Sequence, residues 1–101
     1  MRVTILLPTY NNEKTLYACL ESLTNQDFPK SKYEIFVIDG GSTDKTIEIA
    51  KSFKVVLLNN PKRVEEWARI LGLKKAKGEI IALIDADNVV VGSDWLSKMV
   101  R

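Results

Sequence analysis

The sequence contains no histidine and a single cysteine, Cys19, in 101 residues. Without histidine there is no imidazole for general acid–base catalysis, no Ser-His-Asp triad and no histidine metal ligand in this chain. One cysteine excludes an internal disulfide and a cysteine-rich zinc site. Any metal must therefore be held by oxygen, which selects a hard cation. Long hydrophobic runs are also missing: nothing approaches the roughly 20 apolar residues that cross a bilayer. The start, Met1-Arg2-Val3-Thr4-Ile5-Leu6-Leu7-Pro8, has neither the length nor the small-residue cleavage pattern of a signal peptide. The expected location is cytoplasmic, with attachment to the cytosolic face of a membrane only through regions outside this chain. Neither sign of charge dominates, since 15 Lys and Arg against 13 Asp and Glu leave +2. That is too little to point to nucleic acid or an anionic membrane as partner.

What is present is an ordinary globular composition, 46% hydrophobic and 28% charged, without repeats, low-complexity stretches or linkers, and it reads as one domain over residues 1–101. Val3–Leu7 is a continuous apolar run stopped by Pro8, which suits a strand buried on both faces of a parallel sheet. Leu16, Cys19, Leu20 and Leu23 fall at i, i+3, i+4, i+7, one face of a helix that Asn11 or Asn12 could cap. A second strand, Glu34–Asp39, runs into the turn Gly40-Gly41-Ser42-Thr43-Asp44. Ile47, Ala50 and Phe53 mark a second helix, and Val55–Leu58 a third strand. Val64, Trp67, Ala68 and Leu71 give a third helix that leaves through Lys77-Gly78. Ile80–Ile84 is a fourth strand meeting Asp85-Ala86-Asp87, and Ser93 is placed to cap a last helix with Trp95, Leu96, Met99 and Val100. The order β-α-β-α-β-α-β-α implies right-handed crossovers and a mainly parallel sheet in a Rossmann-like, three-layer α/β/α arrangement. The last helix ends the chain without a closing element, so a continuation beyond residue 101 is expected. A sheet with an unpaired edge also makes a homo-oligomer plausible.

In open parallel sheets, ligands bind outside the carboxyl ends of the strands. Those ends carry Thr9-Tyr10-Asn11-Asn12-Glu13, Asp39-Gly40-Gly41-Ser42, Asn59-Asn60 and Asp85-Ala86-Asp87-Asn88. Asp85 and Asp87, at i and i+2 on an extended segment, project to the same side and repel unless solvated, protonated or bridged by a cation. A divalent ion with a diphosphate satisfies both, whereas the simpler alternative is a solvated turn. Asp39 can accept hydrogen bonds from a ribose or a base N–H, or can act as a turn residue. Tyr10 can stack on a base or pack with its hydroxyl bonded. Glu13 can complement the dipole of the first helix. Lys62 and Arg63 can neutralise a diphosphate or be solvated surface. Trp67, Trp95 and Cys19 read as packing. No G-x-G-x-x-G or P-loop is present, so dinucleotide and NTPase readings lack their phosphate cradle.

Three segments together carry a resemblance: Pro8-Thr9-Tyr10-Asn11-Asn12-Glu13, Val37-Ile38-Asp39-Gly40-Gly41-Ser42-Thr43-Asp44, and Ala76-Lys77-Gly78-Glu79-Ile80-Ile81-Ala82-Leu83-Ile84-Asp85-Ala86-Asp87. In order and spacing they resemble the family 2 glycosyltransferases, whose fold is the GT-A nucleotide-diphospho-sugar transferase fold. The resemblance covers nearly the whole chain and makes it the N-terminal, nucleotide-sugar-binding part of such a domain. It implies a metal-dependent, inverting transferase with a UDP- or GDP-sugar donor, Mn²⁺ or Mg²⁺ as cofactor, and a sugar, polysaccharide or lipid-linked acceptor. It further implies nucleotide-sugar-binding roles for Pro8, Thr9, Tyr10, Glu13, Asp39, Arg63 and Asp85. Asp87 would bind the metal directly, and Asp85 would hold the ribose or the metal's water shell. The general base is expected beyond residue 101.

Two positions depart from the family pattern. Gly40 stands where a second Asp is usual, and Ile70 stands where an Asn often precedes the glycine at 72. The alternative class is a nucleotide-sugar-binding or scaffold module without transferase activity. A sugar-nucleotide-forming nucleotidyltransferase would need a Gly-rich basic loop after strand 1, which Thr9–Glu13 does not provide. A receiver-like or flavodoxin-like domain would share the alternation of elements but leaves Asp85-Ala86-Asp87 and the Pro-Thr-Tyr segment unexplained.

Overall fold

The structure, a computed structural model, describes residues 2–60 and 65–100. Four parallel strands form one sheet in the order β3-β2-β1-β4. They are β1 Val3–Thr9, β2 Tyr33–Asp39, β3 Val56–Asn59 and β4 Ile80–Leu83. The helices are α1 Leu16–Thr24, α2 Thr46–Lys51, α3 Glu65–Lys75 and α4 Trp95–Val100. This is the alternation that the hydrophobic pattern implies. Val64, expected to open the third helix, and the pair Lys62 and Arg63 lie outside the described residues.

The period-2 rule divides the core in two. Val3, Ile5 and Leu7 of β1 and Ile35 and Val37 of β2 face one side, where Leu16, Cys19, Leu20 and Leu23 of α1, Ala50 of α2 and Leu96 of α4 cover them. Leu6, Phe36 and Ile38 face the other side, against Ala68 and Leu71 of α3. The chain thus builds three layers. The order reverses once: the crossovers through α1 and α2 carry the sheet from β1 to β2 to β3, and α3 then returns it to the far side of β1. With right-handed connections this reversal moves α3 to the opposite face. It also leaves a gap between the diverging chains at the carboxyl ends of β1 and β4.

One expected boundary is corrected. β1 does not stop at Pro8 but runs through it to Thr9, in register with Ile38 and Asp39 of β2. In a parallel ladder, alternate residues bond to alternate neighbours. The Leu6 carbonyl accepts from Ile84 on the β4 side, and the Thr9 carbonyl accepts from Gly40 on the β2 side. Pro8 shares the parity of Leu6, and its missing N–H falls where the β4 ladder has already ended, at Leu6–Leu83. It costs no sheet bond there.

Gly78 shows a second constraint. A Cβ at this position would lie 2.5 Å from the Thr4 backbone nitrogen and 2.6 Å from its hydroxyl oxygen. The Gly78 N–H instead donates to Thr4 Oγ1 at 2.9 Å, and that hydroxyl donates to Glu34 Oε2 at 2.6 Å. Glu34 Oε2 also accepts the Lys77 N–H. The loop entering β4 is thereby fastened to both central strands. Gly78→Ala is expected to lower stability by about 1–3 kcal/mol through this overlap, read as the free energy of urea unfolding. An unchanged midpoint would show that the loop can withdraw from β1.

Candidate functional site: a cleft at the carboxyl edge of the sheet

At the point of reversal lies a cleft of about 470 Å³ lined by Pro8, Thr9 and Tyr10 at the end of β1, Ile38 and Gly40 at the end of β2, Asn60 after β3, and Leu83, Ile84, Asp85 and Asn88 at the end of β4, with Asn12 at its side. Of the residues expected to meet a nucleotide-sugar, Pro8, Thr9, Tyr10 and Asp85 line it. Tyr10 is about two-fifths exposed. Glu13 is exposed and outside the lining, and Arg63 lies outside the described residues.

Asp39 is placed differently from a simple ligand-facing carboxylate. It is 3% exposed. Its Oδ1 accepts from the hydroxyls of Thr9 (2.8 Å) and Ser42 (2.6 Å), and its Oδ2 accepts from the N–H groups of Gly41 (2.9 Å) and Ser42 (2.7 Å). Four donors use the acceptor capacity of a carboxylate. The cluster closes a tight turn that needs positive φ at Gly41 (92°). The Asp39 carbonyl also accepts the N–H of Asn60 at 2.7 Å. Asp39 therefore fixes the floor of the cleft and ties three strand ends together.

The acidic segment after β4 also departs from expectation. Asp85 and Asp87 are not on an extended segment. Asn88 N–H donates to the Asp85 carbonyl (3.0 Å) and Asp87 N–H donates to Asp85 Oδ1 (3.1 Å), a turn held by its own aspartate. Ala86 between them is 1% exposed and belongs to the core. The buried methyl anchors the turn while both carboxylates remain exposed. Asp87 Oδ1 accepts from Asn12 Nδ2 (3.1 Å) and Thr15 Oγ1 (3.0 Å). From sequence, Asn12 is a candidate helix cap within the loop after β1 and carries no individual site role, and Thr15 is not singled out. In the structure α1 has no side-chain cap. The Asn12 carbonyl accepts from Thr15 and Leu16 N–H, and its side chain is committed elsewhere. Asn11 likewise does not cap: at φ 50° it donates its N–H to Ser42 Oγ and accepts the N–H of Thr43. Ser93 does not cap α4 either, because its hydroxyl donates to Asp27.

The electrostatics of this end are negative. Beneath the acidic turn, burial and then the charges of Asp85 and Asp87 push the Cys19 thiol from 9.0 to about 11, so it stays a neutral core thiol. Asp44, at the start of α2, is desolvated, which opposes ionisation. Hydrogen bonds from the Thr46 hydroxyl and N–H and from the Glu13 N–H outweigh this and hold its carboxyl below the ordinary range. Among the described residues neither Asp85 nor Asp87 has an ion-pair partner, and no three His, Cys, Asp or Glu side chains gather into a metal cage. Two exposed carboxylates in one turn suit an Mn²⁺- or Mg²⁺-like ion that takes its remaining oxygens from phosphate and water. They do not make a closed structural site.

Fold and cleft together define an α/β domain of the doubly wound type, with its cleft at the point of strand reversal. The sequence model described as Glycosyl transferase family 2 matches residues 4–101, and the chain belongs to that family. Similar proteins include the glycosyltransferase AglE of Haloferax volcanii, 36% identical over 91 residues, which are 84% of this chain and 30% of that protein. The poly(ribitol-phosphate) beta-N-acetylglucosaminyltransferase TarS of Staphylococcus aureus is 34% identical over 96 residues, 89% of this chain and 17% of its own length. Among solved structures, the mannosyltransferase PcManGT of Pyrobaculum calidifontis in complex with GDP-Man and Mn²⁺ superposes with a TM-score of 0.91 at 31% identity, over 98% of this chain and 31% of that one. S. aureus TarS 1–349 in complex with UDP-GlcNAc gives 0.86 at 30% identity, over 99% and 30%. The fold is thus that of the GT-A glycosyltransferases, and the chain spans less than a third of the length of these relatives.

If Asp39 organises the floor, Asp39→Asn, which replaces an acceptor by a donor among four donors, should cost about 1–3 kcal/mol. Asp85→Asn, which keeps the carbonyl that accepts Asp87 N–H, should cost less than about 0.5 kcal/mol. Urea unfolding of both variants makes the comparison, and equal losses would remove the structural role of Asp39.

Proposed function

We propose that this chain is the donor-binding part of an inverting glycosyltransferase that moves a sugar from a UDP- or GDP-sugar to a sugar, polysaccharide or lipid-linked acceptor. The observation that carries the reading is the cleft at the β1–β4 reversal, with Tyr10 in its wall and, at its rim, an exposed acidic turn that has no ion-pair partner among the described residues. Family membership and the UDP-GlcNAc and GDP-Man complexes of similar structures support it. The nucleobase packs between Pro8, Thr9 and Tyr10, with stacking on the ring worth about 1–3 kcal/mol. Asp39 holds the turn whose backbone meets the base or ribose. Asp87 would hold Mn²⁺ or Mg²⁺ and Asp85 the ribose or the ion's water shell, with Glu13 and Arg63 as further proposed contacts to the donor. When bound, the divalent ion supplies Lewis-acid stabilisation of the diphosphate leaving group. The base that deprotonates the acceptor hydroxyl comes from residues beyond 101.

The setting is cytoplasmic, facing the cytosolic side of a membrane when the acceptor is lipid-linked. No helix among the described residues is long and apolar enough to cross a membrane.

Calorimetric titration of the intact protein with UDP and GDP, with and without Mn²⁺, tests the reading. One of the two should bind more tightly with the metal, and Asp87→Ala should remove that gain. Absence of binding by either nucleotide at millimolar concentration, with Mn²⁺ present, would overturn the reading.

A further inference from the structure

The hydrogen bonds around Asn12 join parts of the cleft that its lining residues leave separate. Asn12 Oδ1 accepts the Tyr10 N–H at 2.7 Å, and Asn12 Nδ2 donates to Asp87 Oδ1 at 3.1 Å. Its own N–H donates to Thr46 Oγ1 at 2.7 Å, and that buried hydroxyl donates onward to Asp44. One side-chain amide therefore spans from the wall that carries the aromatic ring to the acidic turn, and its backbone fixes the pair to the start of α2. Thr15, the residue preceding α1, adds a second donor to the same oxygen of Asp87, at 3.0 Å. Both donors are neutral and both fall on Oδ1. Among the described residues nothing bonds to Oδ2 of Asp87.

We infer that Asn12 and Thr15 are positioning residues for the metal-binding carboxylate: their two hydrogen bonds lock Asp87 on Oδ1 and leave Oδ2 as the oxygen presented to a divalent cation. The inference rests on the proposed role of Asp87 and adds to it the residues that orient it. Two donors on one oxygen stop the carboxylate from rotating, so its ordering is complete before the cation arrives. Neutral donors also leave the full negative charge for the cation, which a lysine in the same place would cancel. Partners of this kind typically change metal affinity by about 10- to 100-fold when removed. The two residues differ in one respect. The Thr15 hydroxyl bonds Asp87 and, at 3.5 Å, the Asn12 carbonyl, whereas the Asn12 side chain also holds the Tyr10 backbone, so its loss disturbs the base side as well.

The experiment measures Mn²⁺ affinity by the electron paramagnetic resonance of free Mn²⁺, in the intact protein, with UDP and GDP in turn. It is paired with metal-free nucleotide affinity and the metal-free thermal midpoint. Thr15→Val is expected to weaken Mn²⁺ binding about tenfold with no change in either metal-free measurement, and Thr15→Ser is expected to restore it. Asn12→Ala is expected to weaken both Mn²⁺ and metal-free nucleotide binding. If Asp87→Ala loses Mn²⁺ while Thr15→Val and Asn12→Ala bind it as the unaltered protein does, the positioning role is overturned and the metal role of Asp87 stands. If Thr15→Val lowers the metal-free midpoint and metal-free nucleotide affinity in step with Mn²⁺ affinity, its role is structural and the inference is overturned. If Asp87→Ala binds Mn²⁺ unchanged, the reading of the site falls, and the inference with it.

Discussion

The seven-residue parallel ladder between β1 and β2 ends in a buried side-chain bond from Thr9 to Asp39, and most of the molecule is arranged around that end. Among the described residues β1 pairs with β2 along its whole length and with β4 over Val3–Leu6, and, like β2, it carries core residues on both faces. Its carboxyl end would be a weak point, because the β4 ladder ends at Leu6–Leu83 while β1 runs on to Thr9. Asp39 supplies the missing cohesion by taking four hydrogen bonds, from Thr9 and from the turn at 41–42. A buried carboxylate is costly unless its acceptors are met, and here they are met by neutral donors rather than by a counter-charge. The floor of the cleft is therefore rigid without carrying a cation of its own.

That arrangement matters for the ligand class. A site for a nucleoside diphosphate with a divalent cation needs a flat wall for the base, a fixed backbone, and negative charge only where the metal sits. The strand ends supply these separately: Tyr10 after β1, the Asp39 turn after β2, and the acidic turn after β4. The order of the sheet brings the first and last together, because β1 and β4 are neighbours in space though their carboxyl ends, Thr9 and Leu83, are 74 positions apart in the chain. The Asn12 amide then links the wall to the acidic turn directly. The negative field shows itself in Cys19, whose thiol is pushed up by burial and by both aspartates although it has no part in the proposed chemistry.

Much of this was legible in the sequence. Strands buried on both faces write themselves as unbroken apolar runs, and Val3–Leu7 and Ile35–Ile38 could be read that way. The helix stripe at Leu16, Cys19, Leu20 and Leu23 was equally plain, since all four are fully buried. Less legible was anything set by hydrogen bonds between segments distant in the chain. Pro8 reads as a strand end because local chemistry forbids a donor, and only the register with β4 reveals that no donor is needed. Asn12 reads as a cap because it precedes a helix, yet its partners Thr46 and Asp87 are 34 and 75 residues away. Asp85 and Asp87 read as an alternating pair on a strand, but the buried Ala86 and the side chain of Asp85 bend the segment into a turn. The candidate residues at the strand ends could be named from the sequence, while their mutual geometry depended on the three-dimensional register.

The central claim is that the carboxyl edge between β1 and β4 receives a metal-bound nucleotide. The most direct measurement is Mn²⁺-induced broadening of backbone amide signals in the intact protein with UDP or GDP present. The account predicts that Asn12, Thr15, Ala86, Asp87 and Asn88 lose intensity first, well before Lys32, Lys54 and Lys77 at the opposite end of the sheet. Broadening centred on that opposite end, or spread evenly over the molecule, would contradict it.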